Sequence, residues 1–177
     1  YNFKNNYYDI IFFHQSLHHF NNVEALIKTK IFNCLKQNGK VVVNEYVGAN
    51  RLQFPKNQIK YINNGLKIIP KKYRTRFKTG QVKNNFYGSG IIRMILADPS
   101  ECVDSANILP CLNKYFYPLV EKNYGGNILM NVLKDISHHF IKTDEEKEKI
   151  LNELFKFEDN YLKSNKSDFV FGVFQKK

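Results

Sequence analysis

An open α/β sheet is the fold class this sequence predicts, on three observations. Two apolar runs, Tyr8-Asp9-Ile10-Ile11-Phe12-Phe13 and Lys40-Val41-Val42-Val43, lie close together near the start of the chain. An amphipathic segment separates them. Each run also stops at a polar cluster, His14-Gln15-Ser16-Leu17-His18-His19-Phe20 after the first and Asn44-Glu45-Tyr46-Val47-Gly48 after the second. Strand, loop, helix, turn, strand, loop is the order of a parallel βαβ unit, in which ligands sit at the carboxyl ends of the strands.

The elements follow in turn. Val23, Leu26, Ile27, Ile31, Phe32 and Leu35 recur at intervals of three and four, predicting a helix over 23–37 that Asn22 starts and Asn38-Gly39 closes. Lys40 to Val47 reads as a buried, β-branched strand, parallel to the first because a helical crossover cannot make a tight hairpin. The segment 51–98 is expected to form a basic helical insertion or lid; Arg51 to Thr79 is polar and carries Pro55, Pro70 and the run Lys71-Lys72-Tyr73-Arg74-Thr75-Arg76-Phe77-Lys78. Pro99-Ser100-Glu101 starts a helix to about Tyr115, which Pro110 kinks or breaks. Phe116 to Tyr124 alternates as a strand that Gly125-Gly126 ends, and Asn127 to Phe140 reads as an apolar helix. Asp144 to Lys163 is an amphipathic helix with acidic residues in its first turn, and Ser167 to Gln175 is a closing strand apolar on both faces.

At 177 residues and 43% hydrophobic composition, the chain 1–177 is read as a single domain able to bury a core. A net charge of +11 directs its surface toward anions, although lysine and asparagine are abundant throughout, which weakens that clue. Cys34, Cys102 and Cys111 fall in segments that read as helical, with no CxxC pair, so neither a disulfide framework nor a zinc ribbon is suggested and a cytoplasmic location is expected. No apolar run approaches the roughly 18 residues needed to span a bilayer.

Tyr8-Asp9-Ile10-Ile11-Phe12-Phe13-His14-Gln15-Ser16-Leu17-His18-His19-Phe20, a helix, then Leu35-Lys36-Gln37-Asn38-Gly39-Lys40 and a Val-rich strand resemble strands four and five of class I S-adenosylmethionine-dependent methyltransferases. Glu45-Tyr46-Val47-Gly48-Ala49-Asn50-Arg51-Leu52-Gln53-Phe54 and Ser167-Asp168-Phe169 look like one bacterial branch of that family. The resemblance implies a Rossmann-like sheet of strands four to seven. The glycine-rich loop and the acidic residue with which the family mainly binds its cofactor are missing; Gly88-Ser89-Gly90 follows no apolar strand and cannot stand in for the loop. The expectation is therefore a carboxyl-terminal half without the cofactor-binding half, inactive alone and binding S-adenosylmethionine weakly or not at all. The strand Tyr8 to Phe13 would then be an apolar sheet edge, to be covered by a second copy, a partner or an amino-terminal segment.

Site residues follow from the same resemblance. His14, Gln15 and Ser16 stand where the family's loop passes the sulfonium end of the cofactor. His18 and His19 are candidate general bases, or else pack at the start of the helix and satisfy a carbonyl. Glu45 would orient an acceptor hydroxyl, or pair with Arg51, while Tyr46 walls the pocket. Arg51, Arg74 and Arg76 would grip an anionic group of a small or sugar-like acceptor, methylated on oxygen or nitrogen, against the alternative of a solvated basic face. A metal site from His14, His18 and Cys34 fits no standard ligand spacing, and none is expected. Two rival functions remain open: a nucleic-acid-binding module tracking phosphates with Tyr73 and Phe77 interleaved among the basic residues, and a non-catalytic interaction protein keeping the half-sheet.

Overall fold

A computed structural model describes residues 3–177; the first two residues of the expected domain lie outside the described residues. The described residues form a mixed four-stranded sheet, β1 (Tyr8–His14), β2 (Leu35–Tyr46), β3 (Phe116–Gly125) and β4 (Phe169–Lys176), in the order β1-β2-β4-β3. β1 and β2 run parallel, as the intervening helix requires, with Ile11 opposite Val41 and Phe13 opposite Val43. β4 returns antiparallel to β2, pairing Val41 with Phe174 and Val43 with Gly172.

These registers assign the two faces. Val41, Val43, Val170 and Phe174 share one face and are fully buried. They pack with Val23, Ile27, Ile31, Ile108 and Leu112 from the helices that cover it, each such residue contributing about 1.5–3 kcal/mol of apolar burial. Ile10, Phe12 and Phe171 lie on the other face, where Ile10 and Phe12 are each 59% exposed. The closing strand is thus apolar on both faces as expected, but only one of them is buried.

The crossover departs from its expected single helix. It runs as α1 (Val23–Leu26), a wide π turn (Ile27–Ile31) and α2 (Phe32–Cys34), and β2 already begins at Leu35. Leu35 pairs with Tyr8, and the register then slips before Ile10 meets Lys40. The slip is absorbed by Asn38 in the left-handed region (φ 64) and by Gly39, where a Cβ would sit 2.8 Å from the Lys36 carbonyl. Sheet pairing has here overridden the helical periodicity.

The chain divides into two compact units: residues up to Gln53, Ser89–Tyr124 and Asp168–Lys177 form the first, and Phe54–Gly88 with Gly125–Ser167 the second. The segment 51–98 is accordingly shared between them. In the first unit the expected helix from Pro99 splits into turns and α5 (Ile108–Tyr115), preceded at some distance by α4 (Ile91–Ala97). Pro110 sits in the first turn of α5, where its missing N–H has no helical partner to lose.

The second unit packs α3 (Lys56–Ile68), α6 (Leu129–Leu133) and α7 (Glu145–Leu162) around Ile62, Leu66, Ile128, Val132 and Leu154. Asp144 caps α7 by accepting from the Lys147 amide at 3.0 Å. The expected helix 127–140 breaks after α6, with Asp135 left-handed at φ 68 and a tight turn at Ser137–Phe140. Two buried charges hold so short a helix at its ends. The Ile128 and Leu129 amides donate to Glu158 Oε1 at 2.7 and 3.2 Å. At the other end Lys83 Nζ donates to the carbonyls of Asn131, Val132 and Lys134 at 2.6, 3.1 and 2.7 Å. Each charge complements the helix dipole.

Burial, with Arg76 nearby, lowers the Lys83 pKa from 10.5 to about 8. Between those values the unfolded chain binds the proton and the folded chain does not, so this group makes stability rise with pH across that window. The difference in denaturant stability between the wild type and Lys83→Met, followed from pH 8 to pH 10.5, is expected to change in that sense; a pH-independent difference would refute it. The open face yields a second expectation: Ile10→Lys with Phe12→Lys lowers the self-associated fraction in sedimentation velocity relative to the wild type.

Candidate functional site

The polar tails of β1 and β2 meet, and one carboxylate joins them. Glu45, fully buried, accepts from the Ser16 and Leu17 amides through Oε1 at 2.6 and 2.8 Å and from His18 Nδ1 through Oε2 at 2.7 Å. It therefore caps the tight turn Leu17–His19 and turns the His18 ring. Burial acts against its charge, but the hydrogen bonds from His18, Ser16 and Leu17 prevail and hold its pKa below the usual carboxylate value. The reason lies in register: Glu45 pairs with Val170 on the buried face of β2, so its side chain has no water and must find donors in the neighbouring loop.

The other predicted residues are placed as follows. His14 and Gln15 are exposed at the end of β1, His14 Nδ1 lying 3.0 Å from Asn44 Nδ2 and Gln15 donating through both its amide and its side chain to the Asn44 carbonyl. Tyr46 is 2% exposed, its hydroxyl donating to the Ala49 carbonyl at 3.1 Å, and burial pushes its pKa up. Gly48 permits this packing, since a Cβ there would meet Asp168 and the Tyr46 ring. Arg51 does not pair with Glu45, whose partner is His18; its Nη1 donates instead to the Pro99 and Glu101 carbonyls at 2.5 and 3.5 Å. Arg74 and Arg76 belong to the second unit, where Arg76 pairs with Asp135 at 2.7 Å and Arg74 is half-buried.

A second loop completes the arrangement, and the sequence hid it as the start of a helix. Residues 98–104 form turns in which Cys102 adopts a left-handed φ of 48. The Val103 amide donates to the His18 carbonyl at 3.2 Å and the Arg51 amide to the Cys102 carbonyl at 2.6 Å, fastening this turn to the first loop and to 50–52. Gln15, Arg51, Leu52 and Cys102 all have positive φ without being glycine, a concentration of backbone strain of the kind that persists at functional sites. Asp98, Ser100, Glu101 and Cys102 thus join His18 and His19 at the strand ends, eighty residues away in sequence. The only sequence signal for them was the cluster Asp98-Pro99-Ser100-Glu101 itself, which a turn and a helix start share.

Residues 1–43 match the family model described as methyltransferase domain. No curated protein matches the sequence. Similar solved structures include the [4+2]-cyclase SpnF, at 14% identity and TM-score 0.42 over 98% of this chain and 52% of that one. Phosphoethanolamine N-methyltransferase 2 of Haemonchus contortus, in complex with S-adenosyl-L-methionine, is 16% identical with TM-score 0.46 over 99% and 35%. An S-adenosylmethionine-dependent methyltransferase of Mesorhizobium loti is 10% identical with TM-score 0.44 over 99% and 65%. The chain spans less than two thirds of the length of each. Among the described residues no helix is long and apolar enough to cross a membrane.

Glu45→Ala leaves two buried amides and an imidazole nitrogen without an acceptor. It is expected to cost roughly 2–5 kcal/mol in denaturant unfolding, whereas Glu45→Gln, which keeps one acceptor oxygen, costs less. Equal stability of Glu45→Ala and wild type would contradict this account of the loop.

Proposed function

We propose that this chain is part of an S-adenosylmethionine-dependent methyltransferase that transfers a methyl group to an oxygen or nitrogen atom of a small or sugar-like, anionic acceptor. The match to a methyltransferase domain over 1–43 carries the reading: it covers β1, the crossover and most of β2, the unit whose two polar tails Glu45 joins. The cofactor brings an already activated methyl group when bound, so the protein's task is alignment of donor and acceptor.

In this reading exposed His14 and Gln15 and half-buried Ser16 form the rim toward the cofactor, and Glu45 is a positioning residue that shapes the rim from behind. Tyr46 and Arg51 build the wall beyond β2, with Arg51 setting the turn 98–104 on that wall. The chain supplies no glycine-rich loop or acidic residue for the nucleoside. S-adenosylmethionine therefore does not fit these residues alone, and no step is routed through it. The edge strand β1 carries an apolar groove of about 510 Å³ lined by Phe3, Tyr8, Ile11, Phe13, Leu26 and Ile31; an upstream strand or a second copy of the chain would cover it.

Calorimetry with S-adenosylmethionine, together with transfer of labelled methyl to anionic hydroxyl and amine acceptors, tests the proposal on this chain and on the chain extended by its upstream coding sequence. The extended chain is expected to bind and transfer, and this chain to do neither. Tight binding by this chain alone would refute the division of labour, and inactivity of both would refute the methyltransferase assignment.

A further inference from the structure

We infer that His18, Glu101 and Cys102 form a zinc-binding site where the two loops meet. The inference stands apart from the methyltransferase reading, because it rests on which donor atoms the two loops bring together. His18 Nδ1 lies 2.7 Å from the buried Glu45 carboxylate and donates to it, which turns Nε2 the other way, 4.0 Å from Glu101 Oε1. The Ser100 hydroxyl spends its hydrogen on Asp98 Oδ1 at 2.7 Å, so His19 Nδ1, 3.0 Å from that hydroxyl oxygen, must be the donor. Its Nε2 stands on the far side of Glu101, 3.8 Å from Oε2.

The Cys102 thiol points at the same carboxylate, donating to Glu101 Oε1 at 3.0 Å. The donor atoms of His18, Glu101 and Cys102 all lie within 4.8 Å of one another. Tetrahedral zinc with bonds of about 2.0–2.3 Å sets its ligands about 3.3–3.8 Å apart, so the three groups close on an ion by shifts of up to about an ångström, with the fourth position left to solvent. Thiolate, imidazole and carboxylate together favour zinc over magnesium or calcium. The surroundings match as well: the Glu45 carboxylate behind the His18 imidazole orients the ring as in metal sites generally. Backbone bonds from Val103 to His18 and from Arg51 to Cys102 hold both loops in place beforehand.

Binding replaces the Cys102 S–H bond by a sulfur–zinc bond, the proton leaves to solvent, and no electron changes hands. Burial and the adjacent Glu101 otherwise keep this thiol protonated, its pKa raised. The cation reverses that balance.

The test is titration of the full chain, without an affinity tag, with zinc against a chromophoric chelator and with cobalt(II) under an absorption spectrometer. About one metal ion per chain, tetrahedral cobalt bands and a thiolate-to-cobalt charge-transfer band are expected. Cys102→Ser should abolish the charge-transfer band and Glu101→Gln should weaken zinc binding at least about tenfold, while His139→Gln in the second unit leaves both unchanged. Circular dichroism confirms that each variant is folded. A folded wild-type chain without the charge-transfer band overturns the inference whatever the variants do, and so does a band that persists in Cys102→Ser.

Discussion

The buried carboxylate of Glu45 is the constraint on which the strand ends depend. A charge on the inner face of a sheet is tolerated only when donors surround it, and here two amides and one imidazole of the preceding loop supply them. The same three bonds that keep Glu45 ionised therefore dictate the path of residues 16–18 and the direction of the His18 ring. Without that carboxylate the parallel pair β1 and β2 would still form, but its two tails would have no common anchor.

The second unit solves a comparable problem by the same means. Helix α6 has five residues, too few to stabilise itself, and its terminal amides and carbonyls, left without helical partners, are met by Glu158 and Lys83. Burying a lysine against carbonyl groups displaces its titration, whereas burying Glu45 against amides and an imidazole keeps it charged. Solvent exclusion acts against both charges; what differs is the strength of the partners that replace water.

Much of the architecture was legible because it rests on local patterns. The parallel pairing followed from a helix-length gap between two apolar runs, and the start of α7 from Asp144 with acidic residues behind it. Where non-local pairing competed, local pattern failed. Leu35 fits the helical stripe, yet pairing with Tyr8 draws it into the sheet, and Pro99-Ser100-Glu101 reads as a helix start although bonds to His18 and Arg51 hold that stretch in turns. Of the site, His14 through His19 and Glu45 stood out as polar residues at strand ends. Arg51 and Glu45, close in sequence, were a plausible pair that the alternation of the strand and the proximity of His18 preclude.

By itself the sequence determined the α/β class, the parallel strand pair and the polar character of the two loops, since these follow from hydrophobic periodicity and residue type over short spans. Only the tertiary structure decided that Glu45 turns inward to His18, that Glu101 and Cys102 come to face His18, and that residues 54–88 join 125–167 in a separate unit. Those outcomes depend on which distant groups remain to satisfy a buried charge or an unpaired amide, and no window of neighbouring residues records that information.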